Sequence, residues 1–598
     1  MNRYLLSLFL LCVIIPIKAK GSSDLRCNEY RDYLLTHQLT PFGPVPTVYD
    51  PNGVYPYISY CETSNRPVLQ EYRFVSLENA YVKITICPDL GGKVLSIIHK
   101  ESGREVLYVP DVIRQTRILP RFYFVAGGIE VSFPISHTPT QNESVSYQID
   151  KTDNRIYLTC GERELRFGMH WSVEYSLGEN DTFLTQRVVF HNPGKQAYPW
   201  MSWSNAAVPS APDTQYDFPK GEVLVHSSIL DTIRWEKDGP KTEADIKEMT
   251  GYFWQTKDVN AFGAFTPSLG TGLYHIADEK ITGGIKLWSY GVDKDSIWSV
   301  LSTANKRPYV EIQGGPIADQ SIKLEMQPGE TRWHTEYWIP TDRRLDLYGL
   351  KLPGTKLRSI ESIPVFGWSR KGEVDLWLQL KAAYLSGANL PEAPEITSYL
   401  WAPSGMEDLD EAFKWAIRST TGEASALWKL YYGAWLAGRE RMDEAISVLS
   451  VSENDIARVL SARLLYLQGK TEEAVQAINS IRNRSLQLHP QIIVERDQLL
   501  RSVNHKSIEE REKWLSAVDA LDDEWIIERR VQLLIDKGEI QAAKSLLLST
   551  HFQLVHQTYT RTSLWEQICK QLGEPAYPVP VQLGEDNLAR FGAYREYE

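Results

Sequence analysis

Chemistry-bearing residues gather in four short stretches of this chain. In Gly127-Gly128-Ile129-Glu130-Val131-Ser132-Phe133-Pro134-Ile135-Ser136-His137, paired glycines are followed by a carboxylate and, seven residues later, an imidazole. Glycine pairs let a backbone turn tightly, so this reads as a site loop carrying Glu130 and His137. In Arg307-Pro308-Tyr309-Val310-Glu311-Ile312-Gln313-Gly314-Gly315-Pro316, alternation puts Tyr309, Glu311 and Gln313 on one face of a strand and Val310 and Ile312 on the other. A third stretch, Tyr198-Pro199-Trp200-Met201-Ser202-Trp203-Ser204-Asn205, sets the neutral polar group of Asn205 beside Trp203, and Met169-His170-Trp171 adds a further histidine.

These residue types suit sugar chemistry. Glycoside hydrolysis needs one carboxyl to protonate the leaving oxygen and a second as base or nucleophile, roles that Glu130 and Glu311 can fill; their separation would distinguish retention from inversion. Nine tryptophans fall between residues 160 and 340 (Trp171, Trp200, Trp203, Trp235, Trp254, Trp288, Trp298, Trp333 and Trp338) and offer faces on which sugar rings stack, although aromatic residues also fill the cores of β-sandwiches. Trp203, Asn205, Arg307, Tyr309 and Gln313 are the expected binding residues; Glu311, Glu130, His137 and His170 are the expected catalytic ones. No metal or cofactor is expected: the twelve histidines are scattered without ligand spacing. No Gly-x-Ser-x-Gly elbow marks a catalytic serine.

The elements that must hold these residues differ between the two halves of the chain. From about 70 to 340, short alternating runs such as Ala80-Tyr81-Val82-Lys83-Ile84-Thr85-Ile86 are bounded by turn residues, which predicts a large antiparallel β-sandwich. Residues 22–69 form its loop and strand lead-in, and 341–370, with Pro353-Gly354, Pro364 and Gly367, a linker. From 371 to 598 the apolar spacing switches to three and four, the period of helices. Three phrases recur there: Ala434-Trp435-Leu436-Ala437-Gly438 before Asp443-Glu444-Ala445, Tyr466-Leu467-Gln468-Gly469 before Glu472-Glu473-Ala474, and Lys537-Gly538-Glu539 before Ala542-Ala543. A helix ending at a left-handed glycine, then a small alanine at a close crossing, explains the phrase, and the spacing of the glycines approximates one and two periods of ~34 residues.

The N-terminus has a basic start (Arg3), a short apolar run from Tyr4 to Ile17 and small residues at Ala19, Gly21 and Ser22, which predicts a signal peptide over 1–21 and an exported, periplasmic or secreted protein. No later segment is long and apolar enough to be read as a transmembrane span. The formal net charge of -12, with no basic run, argues against a nucleic-acid partner. Cys27 and Cys61 flank a loop-rich stretch and could pair in an oxidising compartment, whereas Cys87 and Cys160 read as buried small hydrophobes.

At these clusters the chain resembles the galactose-mutarotase-like fold, and more narrowly a bacterial family of exported proteins that fuses this sandwich to tetratricopeptide-like repeats. Ile86-Cys87-Pro88-Asp89-Leu90-Gly91-Gly92-Lys93-Val94 is similar to the early mutarotase phrase, and Val310-Glu311-Ile312-Gln313 to the late strand that supplies the general base. The resemblance therefore implies a saccharide ligand and Glu311 as base. A mutarotase also needs a histidine acid for the ring oxygen. The segment that would carry it, Ser202-Trp203-Ser204-Asn205, has none, which leaves His137 and His170 as substitutes. The alternatives are a non-catalytic saccharide-binding protein and a scaffold whose helical repeats dock a protein partner.

Overall fold

The computed structural model describes residues 25–584 apart from 42, 47, 49–54, 59, 118–122, 136, 228–229, 279–282, 292–304, 306, 320, 397–400, 504–506, 519–522 and 557–559. The expected signal peptide and Trp298 lie outside the described residues.

Alternating segments pair into two large antiparallel sheets that face each other across an apolar core, followed by helices. The twelve-stranded sheet runs, in spatial order, Arg26–Thr36, Val68–Glu78, Val82–Cys87, Lys93–His99, Ile129–Val131, Ser204–Pro209, Tyr309–Gly315, Gly284–Ser289, Thr250–Trp254, Glu222–His226 and Leu230–Arg234, with Arg104–Glu105 paired off Lys93–His99. The eight-stranded sheet runs Ser146–Lys151, Arg155–Arg163, His170–Gly178, Leu184–His191, Thr331–Thr341, Thr271–Ala277, Ala261–Thr266 and Gln215–Asp217. Side chains of alternate residues from both sheets, among them Ile84, Val94, Ile129, Ala206, Ile312 and Leu287 from the first and Leu158, Val173, Val188 and Trp338 from the second, fill the space between.

Three expectations change. The lead-in is part of the sandwich, because Arg26–Thr36 pairs along its whole length with Val68–Glu78 at the sheet edge. Its continuation also enters the helical half: Tyr55 and Tyr57 are buried in the helical core, and the backbone N–H of Leu165 donates to the Tyr57 hydroxyl at 2.9 Å. The linker is a bonded strap over the outer face of the eight-stranded sheet, where Ser172 Oγ donates to the Pro364 carbonyl at 2.7 Å, Arg163 N–H to Gly367 at 2.7 Å, and Trp368 lies under the Arg163 guanidinium at 4.0 Å. Cys27 stands free at the sheet edge, so the pairing with Cys61 is not made; its partner strand is Val68–Glu78, whereas Cys61 belongs to a separate small sheet. Cys87 and Cys160 are buried and unpaired.

The helices pair as hairpins: Gly422–Gly438 with Met442–Ser450, Asp455–Leu467 with Thr471–Asn479, and Glu524–Lys537 with Ile540–Ser549. Ala445, Ala474 and Ala543 are fully buried at the crossings. Gly469 and Gly538 take the expected left-handed conformation, with φ of 75° and 83°. Gly438 does not. The positive φ has moved to Glu440, and Gly438 is needed because a Cβ there would lie 2.2 Å from the Tyr55 ring. Glu440 precedes the buried Ala445 by the same interval as Gly469 precedes Ala474 and Gly538 precedes Ala543, so the left-handed position is kept and only its residue type differs.

Candidate functional site

Three of the four expected clusters converge on one face of the twelve-stranded sheet. Its central strands place Ile129, Ala206, Val310, Ile312, Ile285 and Leu287 toward the sandwich core, so the alternate residues Glu130, Asn205, Glu311, Gln313 and Lys286 project from the opposite face. Register then aligns them: Glu130 is opposite Asn205, Asn205 opposite Gln313, and Gln313 opposite Lys286, a polar row across four strands. Glu311 lies one step along the same face, opposite Ala207 and Trp288.

The Gly127-Gly128 turn feeds the row because both residues take positive φ, 90° and 71°, and a Cβ on Gly128 would lie 2.2 Å from the Val94 carbonyl oxygen. This close approach also lets Lys93 reach under the turn, where its ammonium donates to the Val125 carbonyl and to the Gly127 carbonyl at 2.9 Å. Beyond Glu130 the chain folds back: Thr138 Oγ1 donates to the Val131 carbonyl at 2.8 Å and accepts from Phe133 N–H at 3.1 Å. This brings His137, at φ 48°, to Glu130, with Nδ1 2.9 Å from Oε1. The edge of the His137 ring meets Trp203, whose backbone is held by Ser132: Ser132 N–H donates to the Trp203 carbonyl at 2.9 Å.

Glu311 sits in a cradle of donors. Asn205 Nδ2 donates to Oε2 at 2.9 Å, Gln313 Nε2 to the same oxygen at 3.2 Å, and the Tyr290 hydroxyl to Oε1 at 2.9 Å. Tyr290, Tyr309 and Tyr108 form an aromatic wall beside it, the last two stacked at 4.6 Å. Arg307 is exposed at the rim, with its guanidinium 5.8 Å from the Tyr108 ring and Nη2 donating to the Val109 carbonyl at 3.1 Å.

The two carboxyls are driven in opposite directions. Burial works to raise Glu130, but the charge and hydrogen bond of His137, joined by Lys93, overcome it and hold the carboxyl below its ordinary range. For Glu311 burial prevails over the donors of Asn205 and Tyr290 and the charge of His137, and the nearby Glu130 adds to it, so its proton is held more tightly than usual. Divergent proton affinities in one polar row are what acid and base roles require.

His170 is not brought to this row. It belongs to the eight-stranded sheet, facing away from the core, where Nδ1 contacts the Phe366 carbonyl of the strap at 3.0 Å. Most of the tryptophans also go elsewhere. Trp171, Trp200, Trp235, Trp254 and Trp338 fill the sandwich core, and Trp333 is exposed, which leaves on the polar side, among the described residues, Trp203, buried beside Met201 and Ile317, and the half-buried Trp288. Lys93, Lys286 and Tyr290 are the site residues that sequence reasoning passed over. The available signal for Lys286 was its alternation with Ile285 and Leu287, which puts a lone lysine on the strand face that also carries Trp288.

A TPR-domain containing protein from Parabacteroides distasonis, known from its crystal structure, is 63% identical over 96% of this chain and all of its own, with a TM-score of 0.88. Residues 49–341 match the family described as a domain of unknown function, DUF5107. The chain belongs to that family. Residues 377–568 match a C-terminal-domain family, so DUF5107 and the helical region together account for both halves. The sandwich of this DUF5107 member is also similar to a galactose mutarotase-like protein from Clostridium acetobutylicum (12% identity, 45% of this chain and 95% of that one, TM-score 0.35) and to one from Lactobacillus casei (11% identity, 45% and 99%, TM-score 0.33). Among the described residues no helix is long and apolar enough to cross a membrane, and no cluster of three or more potential metal ligands occurs.

Proposed function

We propose that this is an exported saccharide-handling protein whose polar row moves protons at the anomeric centre of a sugar. The observation that carries the reading is the Glu130–His137 contact of 2.9 Å on the same sheet face as the cradled Glu311. In this scheme Glu311 takes the proton of the anomeric hydroxyl and His137, aimed by Glu130, gives one to the ring oxygen. The bond between the anomeric carbon and the ring oxygen breaks, leaving an open-chain aldehyde that can reclose on either face. Glu311 suits the base role because burial strengthens its hold on a proton, and Glu130 suits the positioning role because it stays anionic. Trp203 would offer the stacking face, and Asn205 and Gln313 would link sugar hydroxyls to Glu311.

A second reading, glycoside hydrolysis, is favoured by one feature: two buried carboxyls of opposite proton affinity, Glu311 as acid and Glu130 as base or nucleophile. One experiment separates the two. Free aldoses and a glycan panel are offered to the mature protein and to Glu311→Gln, following anomer exchange by NMR and released product by chromatography. Accelerated exchange without product supports ring opening, and product release supports hydrolysis. In either case Glu311→Gln should lower the rate by about 10²–10⁴-fold while sugar binding persists. Sugar binding without either reaction would reduce the protein to a binding module.

A further inference from the structure

The strand Gly284–Ser289 buries an ammonium that no hydrogen-bond acceptor among the described residues meets. Ile285 and Leu287 are held by the sandwich core, which sends the intervening Lys286 to the face that carries Glu130, Asn205 and Glu311. Its side chain is buried, at 2% exposure, and its ammonium makes no hydrogen bond. It lies 4.5 Å from the centre of the Trp203 ring, whose own Nε1–H also lacks an acceptor. The buried Lys93 at the other end of the row shows the contrast, since two backbone carbonyls satisfy it.

The groups around Lys286 come from every neighbouring element. Glu311 is on the adjoining strand Tyr309–Gly315 and already takes three donors, from Asn205, Gln313 and Tyr290. Asp319, in the turn after that strand, is the carboxylate whose charge Lys286 feels, and it accepts from Ser321 N–H at 2.8 Å. On the other side the register partner is Phe253, which carries no charge. His137 contacts the same indole as Lys286 does. A buried ammonium without a counter-ion is costly, and a hydroxyl in contact with it would leave the charge uncompensated. An anionic oxygen would compensate it with a charge-assisted hydrogen bond.

We infer that the saccharide taken by this site is acidic, a sugar bearing a carboxylate or another anionic group, with Lys286 as its counter-charge beside the stacking face of Trp203. The inference rests on the saccharide reading above and adds the class of sugar. Two open acceptors, Glu130 Oε2 and Asn205 Oδ1, remain for hydroxyls at the opposite end of the row. Burial pushes the Lys286 amine down to about 7, so binding of an anion would draw a proton onto it.

The test is calorimetric titration of the mature protein with galacturonate and glucuronate, with galactose and glucose as neutral counterparts, and with the corresponding hexose phosphate and sulfate to distinguish the source of the negative charge. One acidic series should bind at least about thirtyfold more tightly than its neutral counterpart, and Lys286→Met should bring the two together. Lys286→Arg should restore the preference in part. A readout on the unaltered protein guards against a misfolded variant: acidic-sugar affinity should fall between about pH 6 and about pH 9 with proton uptake on binding, while neutral-sugar affinity stays level. Equal binding of acidic and neutral sugars would overturn the inference and leave the saccharide reading standing. Failure of every sugar to bind would remove both.

Discussion

Buried charge is treated differently in the helical array and on the polar face of the twelve-stranded sheet. In the helical array it closes on itself: Arg511 donates to Asp497 at 2.8 Å and meets Asp536 at 2.9 Å, Arg529 donates to Asp497 at 2.6 Å, and Arg463 donates to Glu495 at 2.9 Å. On the polar face of the twelve-stranded sheet, Glu130 Oε2, Asn205 Oδ1, Trp203 Nε1 and the Lys286 ammonium are buried without partners. Native structures seldom leave such groups unmet, because each carries a desolvation cost of about 1–3 kcal/mol or more. Single unmet atoms occur among the helices too, such as Arg529 Nη2 and Trp428 Nε1, but Arg463, Arg511 and Arg529 each keep a carboxylate, whereas the Lys286 ammonium has no hydrogen bond. On the saccharide reading proposed above, the unmet groups of the sheet are those that would take the ligand.

The strongest way to break that comparison is Asp497→Ala, which strands the buried Arg529 guanidinium and leaves Arg511 with Asp536 alone. It should cost about 3–5 kcal/mol in urea unfolding while leaving the sandwich site competent to bind sugar. Lys286→Met should do the reverse and raise stability by about 1–4 kcal/mol at neutral pH, because it removes a buried charge with no partner. The sign has a pH signature. The folded amine titrates near about 7 and the unfolded one near about 10.5, so the unfolded chain binds more protons in that window and wild-type stability gains as pH rises through it. The advantage of the methionine variant should therefore shrink toward pH ~10.5, and an advantage that does not change with pH would mean that the lysine is not held neutral by burial.

Glu130→Gln sharpens the division of labour within the site. If Glu130 aims His137, turnover of the sugar found by the screen should drop about tenfold or more, and the limb of the pH–rate profile assigned to His137 should move; an unchanged profile would make Glu130 a structural residue. The smallest effect is expected at the strap. Burial, reinforced by Arg163, pushes His170 down to about 4. An unfolded histidine binds a proton near about 6.5, so stability should be lost as pH falls from there toward 4. His170→Gln should flatten that part of a thermal-melting series. If the slope persists, another group is responsible.

The two periodicities located the sheet-to-helix change near residue 371, where the helix Lys371–Ser386 begins, and alternation alone put Tyr309, Glu311 and Gln313 on one face, as found. Left-handed glycines were legible at Gly469 and Gly538 because a helix end is a local event. Gly438 was misread because its role depends on Tyr55, almost four hundred residues earlier. Likewise, Arg26–Thr36 could not be recognised as a full edge strand from a segment whose mostly exposed face shows little apolar alternation.

What residue pattern decides on its own is therefore what short-range sterics and apolar periodicity control: strand or helix, inward or outward face, turn or cap. The site itself lies beyond that reach. Its row is assembled from Lys93–His99, Ile129–Val131, Ser204–Pro209, Tyr309–Gly315 and Gly284–Ser289, which are neighbours in the sheet although strands of the other sheet separate Ile129–Val131 from Ser204–Pro209, and Ser204–Pro209 from Tyr309–Gly315, along the chain. Cross-strand register, which side chains then meet and which buried groups stay unpaired depend on long-range pairing. For this reason the tertiary structure was needed to join His137 to Glu130, to send His170 to the strap and to bring Lys286 into the row.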